Sequence, residues 1–263
     1  MKEQILEELK KLSLEEKQDL FYDWNLLEND SIQIEDEILK VDKVEILKTL
    51  IELGVDVNVK DEAENTVLFF TKSKEIAELL IQSGADVNVR NKYGDTPLFY
   101  AKSKEMAEVL IQAGADVNAQ NNDGNTPLFC VQSKEMTELL IRQGADVNAK
   151  NHFGATPLFY TDFKEIAEVL IQHGADVNAQ DKHGNTPLHW INNKAILELL
   201  IQSNANIQAK NNKGQTPTEY HRQNNDSDLV DFLEQKAIEF EREKLNQNLP
   251  QSPKNSNHPH HRL

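Results

Sequence analysis

The phrase GADVNA stands at 114–119, 144–149 and 174–179, thirty residues apart each time. GADVNV at 84–89 and the eroded NANIQA at 204–209 keep the same interval. No other feature constrains the fold as much. A unit of this size cannot bury an apolar face alone, so neighbouring units must stack. The chain is therefore expected to be a solenoid, whose core grows unit by unit. Frames begin at Ser31, Asp61, Asn91, Asn121, Asn151, Asp181 and Asn211, and the frames 91–120 and 121–150 agree at most positions.

Two helical pieces are legible in each frame. The first opens on Thr-Pro at 96–97, 126–127, 156–157, 186–187 and 216–217. Proline suits the first helical position and threonine before it can cap. The second piece is stronger: in 103–114, Met106, Ala107, Val109, Leu110 and Ile111 form an apolar stripe. Ser103 is placed to cap it and Gly114 to end it in a left-handed conformation, a role Asn204 takes over in its frame. In 151–180, Phe163 replaces the capping serine, and Asp162 with Glu165 suggests a capping box one residue earlier. The linking segments are rich in Asn, Asp and Gly, which form turns. Glycine recurs at 94, 124, 154, 184 and 214, predicting positive φ there. Glu64 holds that position in 61–90, and Val67 replaces proline, so that hairpin is expected to be the weakest.

The ends differ. In 1–30, Ile5, Leu6, Leu9 and Leu12 share a helical stripe. Ser13 and Glu16 form a capping box, and Leu20, Phe21, Trp24 and Leu27 follow at helical spacing. We read 1–30 as a helical cap, 31–60 as a degenerate first repeat, 61–210 as five short repeats and 211–245 as a capping repeat. The polar, proline-containing stretch 246–263 reads as a disordered tail.

The stretch NKYGDTPLFYAKSKEMAEVLIQAGADVNA (91–119) resembles the ankyrin repeat in its Thr-Pro-Leu opening, apolar second helix and Gly-Ala-Asp-Val-Asn ending. DKHGNTPLHW (181–190) matches the opening best and has His189 at the usual histidine. The resemblance covers about 31–240. It implies an all-α solenoid of helix-turn-helix units joined by hairpin turns, with a curved surface that binds proteins. It also implies Asn118 and Asn148 as hydroxylation positions wherever a hydroxylase shares the compartment. Two departures stand out. The ankyrin period is about 33 residues, and the missing three fall between the Thr-Pro-Leu opening and the second helix, so the first helix should be short. The last frame, 216–233, recovers the full spacing. The histidine position holds Phe69, Phe99, Phe129 and Phe159, and the next holds Phe70, Tyr100, Cys130, Tyr160, Trp190 and Tyr220. These rings are expected to fill the volume left by the shortened helix.

Composition narrows the function. The net charge is -16, about half of it within 1–60, which opposes nucleic acid and anionic membranes. The single cysteine, Cys130, permits no intramolecular disulfide and fits a reducing compartment. No apolar h-region follows the N-terminus and no run of 18 apolar residues occurs, so neither a signal peptide nor a membrane span is expected. Cys130 reads as a buried core thiol and His189 as a brace for its Thr-Pro turn. His152, His173 and His183 lack metal-ligand spacing, and His258, His260 and His261 read as a solvated tail. No phosphate loop or nucleophile elbow appears. Neither catalysis, metal nor cofactor is therefore expected.

Protein binding remains. The positions that vary between copies lie in the hairpin turns: Lys92, Tyr93, Asn122, Asp123, His152, Phe153, Lys182 and His183. Tyr93 and Phe153 are aromatic residues in otherwise polar turns, a hot-spot composition, and Phe163 is expected to extend their surface. The expected protein is a non-enzymatic, monomeric, cytoplasmic interaction scaffold for a protein partner. The alternative is a bacterial effector that is delivered into a host cell and binds a host protein there. Its abundant Lys, Asn, Ile and Glu fit an AT-rich genome.

Overall fold

The computed structural model describes residues 2–26, 32–34, 37–39 and 43–248, with side chains over 7–21, 44–242 and 244–245. Two short helices come first, α1 (Lys2–Lys11) and α2 (Leu14–Leu26). The expected box starts α2: the Ser13 N–H donates to Glu16 Oε2 at 2.7 Å and the Glu16 N–H to Ser13 Oγ at 3.1 Å. That contact holds the Glu16 carboxyl below its usual range. Both helices pack on α3 (Lys43–Glu52), with Leu9 and Phe21 buried and Leu12 and Leu20 against the core. The side chains of Ile5, Leu6 and Trp24, and residue Leu27, lie outside the described set.

The five repeats follow one plan. Outer helices α4 (Lys74–Gln82), α5 (Lys104–Gln112), α6 (Lys134–Arg142) and α7 (Lys164–Gln172) stack in order, and α9 (Lys194–Gln202) packs on α7. Ala107, Leu110, Leu140, Ala167, Leu170 and Leu197 sit between them at 1% exposure or less, so the apolar stripe is the core itself. The inner pieces are as short as the spacing predicts. They are single 3-10 turns at Val67–Phe69, Pro97–Tyr100, Pro127–Phe129 and Pro157–Tyr160. In the next frame the piece is a four-residue helix, α8 (Pro187–Trp190). Where the three residues return, the inner helix regains two turns as α10 (Pro217–Gln223), ahead of the long α11 (Ser227–Asn248).

Three expectations need correction. The 31–60 frame has no inner helix among its described residues. An antiparallel ribbon, β1 (Ile32–Ile34) with β2 (Glu37–Leu39), precedes α3 in an otherwise helical solenoid. Helix α7 does not start at an Asp162–Glu165 box; Phe163 is its N-cap and gives no side-chain cap. Thr66, Thr96, Thr126 and Thr156 do not cap their turns, whereas Thr216 accepts from its N3 amide, Glu219. A 3-10 turn of three or four residues has no further turn of amides for a cap to satisfy. Residues 249–263, most of the expected tail, lie outside the described set; α11 runs on to Asn248.

Candidate protein-binding ridge

Successive units are tied by two hydrogen-bond ladders. In the first, the asparagine of each Asp-Val-Asn turn reaches forward. Asn88 donates through Nδ2 to the Gly114 carbonyl and accepts the Asp116 N–H, both at 2.9 Å. Asn58, Asn118, Asn148 and Asn178 repeat this. Both ends of the Asn118 and Asn148 amides are therefore occupied. Gln18 of α2 supplies a rung at the first position, donating to the Asp56 carbonyl and accepting the Asp56 N–H.

The second ladder runs along the hairpin tips. The Asn122 N–H donates to the Tyr93 carbonyl, that of His152 to Asp123, that of Lys182 to Phe153 and that of Asn212 to His183, all at 2.8–2.9 Å. Each tip thus lies against the next, and all the expected binding positions except Phe163 join one continuous ridge. Gly94 shows why the turn needs glycine. Its φ is +77°, and a Cβ there would stand 2.9 Å from the Asn122 amide nitrogen of the next tip. Glu64 occupies the same turn position with φ of +64°.

At the base of each hairpin, the first residue of the frame fixes the loop. Asn91 Oδ1 accepts the Tyr93 and Asp95 N–H groups, and its Nδ2 donates to Asn65 Oδ1 at 2.9 Å. Asn121, Asn151 and Asn211 make the same link back to the preceding unit. At 181 the residue is Asp, which has no donor, and the residue that would accept is Ala155. Asp181 Oδ2 instead accepts the Trp190 indole N–H at 3.1 Å.

On the ridge, Tyr93 is 64% exposed and Phe153 56%. Lys92, Asp123, His152, Lys182 and His183 are exposed as well. Asn122 is exposed, but its Nδ2 donates to the Lys92 carbonyl, so its side chain is committed to the ladder. Phe163 is 51% exposed at the start of α7, and the tip ladder does not reach it.

The sequence reading missed a second set of exposed rings. Tyr100, Tyr160 and Trp190 are 40%, 45% and 45% exposed, and Cys130, expected to be buried, is exposed beside them. Only the preceding position fills the core: Phe69 and Phe159 are buried, Phe99 and Phe129 half-buried. Consecutive side chains stand about 100–120° apart on an α or 3-10 turn, so where the first side chain of the pair faces the core the second turns outward, as Tyr100, Tyr160 and Trp190 do. The available signal was the polar residue nine positions before each ring: Asn91, Asn151 and Asp181 lie within hydrogen-bond reach of Tyr100, Tyr160 and Trp190. The Tyr100 hydroxyl donates to Asp95 Oδ2 at 3.0 Å, so Tyr100 hangs over its own hairpin. Partial burial, the Asp95 bond and nearby Tyr93 raise its pKa. Rings also meet across units, Phe69 with Tyr100 at 5.5 Å and Phe129 with Tyr160 at 5.8 Å. Partial desolvation and Asp95 raise the Cys130 thiol, which argues against a ready nucleophile. No group of three or more His, Cys, Asp or Glu side chains among the described residues is placed to hold a metal ion.

His189 braces its turn as expected. Its Nδ1 accepts the Thr186 N–H at 3.0 Å and its Nε2–H donates to the Gln215 carbonyl at 3.1 Å, which fixes the neutral tautomer. The pattern of ankyrin repeats matches 38–121, 102–181, 128–211 and 161–244, most of the chain. The chain belongs to the ankyrin-repeat family. Ankyrin repeats are in general protein–protein interaction modules. No curated protein matches this ankyrin-repeat chain. Among solved structures it is similar to the ankyrin repeat domain of Bcl-3, a member of the IkappaB protein family. The identity is 26% and the TM-score 0.59, over 72% of this chain and 93% of that one. No described helix of this ankyrin-repeat protein is long and apolar enough to cross a membrane.

Proposed function

We propose that this chain is a non-enzymatic scaffold whose hairpin ridge docks a protein partner. One observation carries the reading: large rings stand exposed on a ridge whose backbone is locked unit to unit. Tyr93 and Phe153 at the tips, with Tyr100, Tyr160 and Trp190 behind them, offer apolar area that the solenoid itself leaves uncovered. Their hairpins are pre-ordered by the tip ladder, so a partner does not have to order them. Aromatic anchors of this kind dominate interface energies, and truncating one typically costs more than about 1 kcal/mol. The test is affinity capture with the native chain and a Tyr93→Ala/Phe153→Ala variant of unchanged circular dichroism. The variant is expected to lose the specific partner. Equal recovery removes the ridge from consideration.

A further inference from the structure

The chain is acidic as a whole, but its ridge is not. From the second hairpin onward the tip segments 90–95, 120–125, 150–155, 180–185 and 210–215 expose Arg90, Lys92, Lys150, Lys182, Lys210 and Lys213. Asp123 is the exposed acid among them. Asp95 is half-buried beneath Tyr100, and Asp181 is buried beneath Trp190. Among the described residues no carboxylate forms an ion pair with Lys92, Lys150, Lys182 or Lys213. The outer helices differ, pairing Lys74 with Glu78, Lys104 with Glu108, Lys134 with Glu138 and Lys164 with Glu168. About half of the net negative charge lies in 1–60, and α11 adds a further excess of acid. The basic charge and the exposed tip rings therefore coincide on one edge of the solenoid.

We infer that the ridge takes an extended acidic peptide segment with apolar anchors. This rests on the ridge being the docking surface. Tyr93 and Phe153 occupy equivalent tip positions two units apart. Stacked helices lie about 8–10 Å apart, so these anchors are separated by about 18 Å. An extended chain advances about 3.3 Å per residue, so apolar side chains about six residues apart reach both rings. Lys92 and Lys150 stand on the same two tip segments as the anchors, and Lys182 and Lys213 continue the row beyond Phe153, so carboxylates flanking the apolar positions meet unpaired lysines, while the tip between the anchors exposes Asp123. The first hairpin, with Glu62 and Glu64 exposed, bounds the site at its N-terminal end. A polyanion such as nucleic acid fits less well. It prefers dense phosphate contacts, and the bases here come in a single row flanked by acidic ends.

The probe is a fluorescein-labelled 15-residue peptide of Glu, Ser and Gly with two Leu six residues apart, titrated by anisotropy against the full chain. A second peptide replaces each Glu by Lys, and a third replaces both Leu by Ser. The first is expected to bind at least tenfold tighter than either. A Lys92→Glu/Lys182→Glu/Lys213→Glu variant is expected to lose that preference, as is the milder Gln triple variant if the Glu variant does not fold. Equal binding of the Lys peptide, or an unchanged preference in the variants, overturns the proposal. So does tighter binding of a 20-nucleotide single strand, or salt-sensitive self-association that the variants abolish. If the acidic peptide fails while Tyr93→Ala/Phe153→Ala still abolishes partner capture, the ridge stands and the acidic class falls. If capture is also unaffected, both readings fall.

Discussion

The hydroxyls of Thr66, Thr96, Thr126 and Thr156 are buried without a hydrogen-bond partner, and each sits in a unit whose histidine position is Phe. Thr186, with His189 three residues on, has both its N–H and its hydroxyl within 3.0 Å of Nδ1. The phenylalanines thus exchange a polar brace for apolar burial. A buried unpaired hydroxyl is a cost that an apolar group of the same shape avoids. Thr96→Val is therefore expected to leave the urea midpoint unchanged or raise it, while Thr186→Val lowers stability by about 1 kcal/mol. Equal losses at both sites would show that the hydroxyls find partners. His189 also adds pH dependence. Burial holds its pKa below the ordinary 6.5; His221 lowers it further, while the Gln215 carbonyl and Asp181 oppose. The unfolded chain then binds the proton first as pH falls, so the contribution of His189 is complete above about 6.5 and lost below it. The His189→Phe variant is expected to show a shallower loss of stability from pH 7.5 to 5, measured by urea unfolding. An identical slope contradicts this assignment.

Whole elements were legible wherever a residue's role is local. The outer helices could be read because Ser73, Ser103 and Ser133 accept the N–H of Ile76, Met106 and Met136, and the apolar stripe follows at helical spacing. The shortened inner pieces could be read from the missing residues. The start of α7 could not, because an acid pair three apart also occurs where Asp162 simply precedes the helix. The outward swing of Tyr100 and Trp190 was illegible for a related reason. The buried and the exposed side chain are neighbours in sequence and both large, so the pattern alone does not say which of the two faces the stack. Phe163 leaves the amides of the first turn of α7 without a side-chain cap. Phe163→Ser is therefore expected to stabilise the chain by about 1 kcal/mol, and Ser103→Ala to destabilise it by a similar amount. Both are read from thermal unfolding. A destabilised Phe163→Ser variant would mean that the exposed ring packs on its surroundings in solution.

At the scale of the molecule, the repeated units are not equally bound. A solenoid's stability is a sum of unit terms and nearest-neighbour interfaces, so its ends can open separately. Toward the N-terminal end, the 61–90 hairpin carries Glu64 in a left-handed turn that suits glycine, and Val67 stands where other units have proline. Its inner piece is a 3-10 turn with an unpaired Thr66. Toward the C-terminal end, His189 ties Thr186 to Gln215, and His221 donates through Nε2 to the Leu188 carbonyl 33 residues earlier at 3.0 Å. Helix α10 has two turns and a Thr216–Glu219 box. Gln18 and the buried Leu9 and Phe21 cover the 31–60 frame and do not repair the Glu64 turn of the unit that follows. Amides of α9 and α10 should therefore exchange more slowly than those of Val67–Phe69 and α4 in native-state hydrogen exchange followed by mass spectrometry. A Glu64→Gly variant should slow exchange in the latter region and leave α9 unaffected. Uniform exchange across all units would instead mean that the two ladders make the solenoid open as one body.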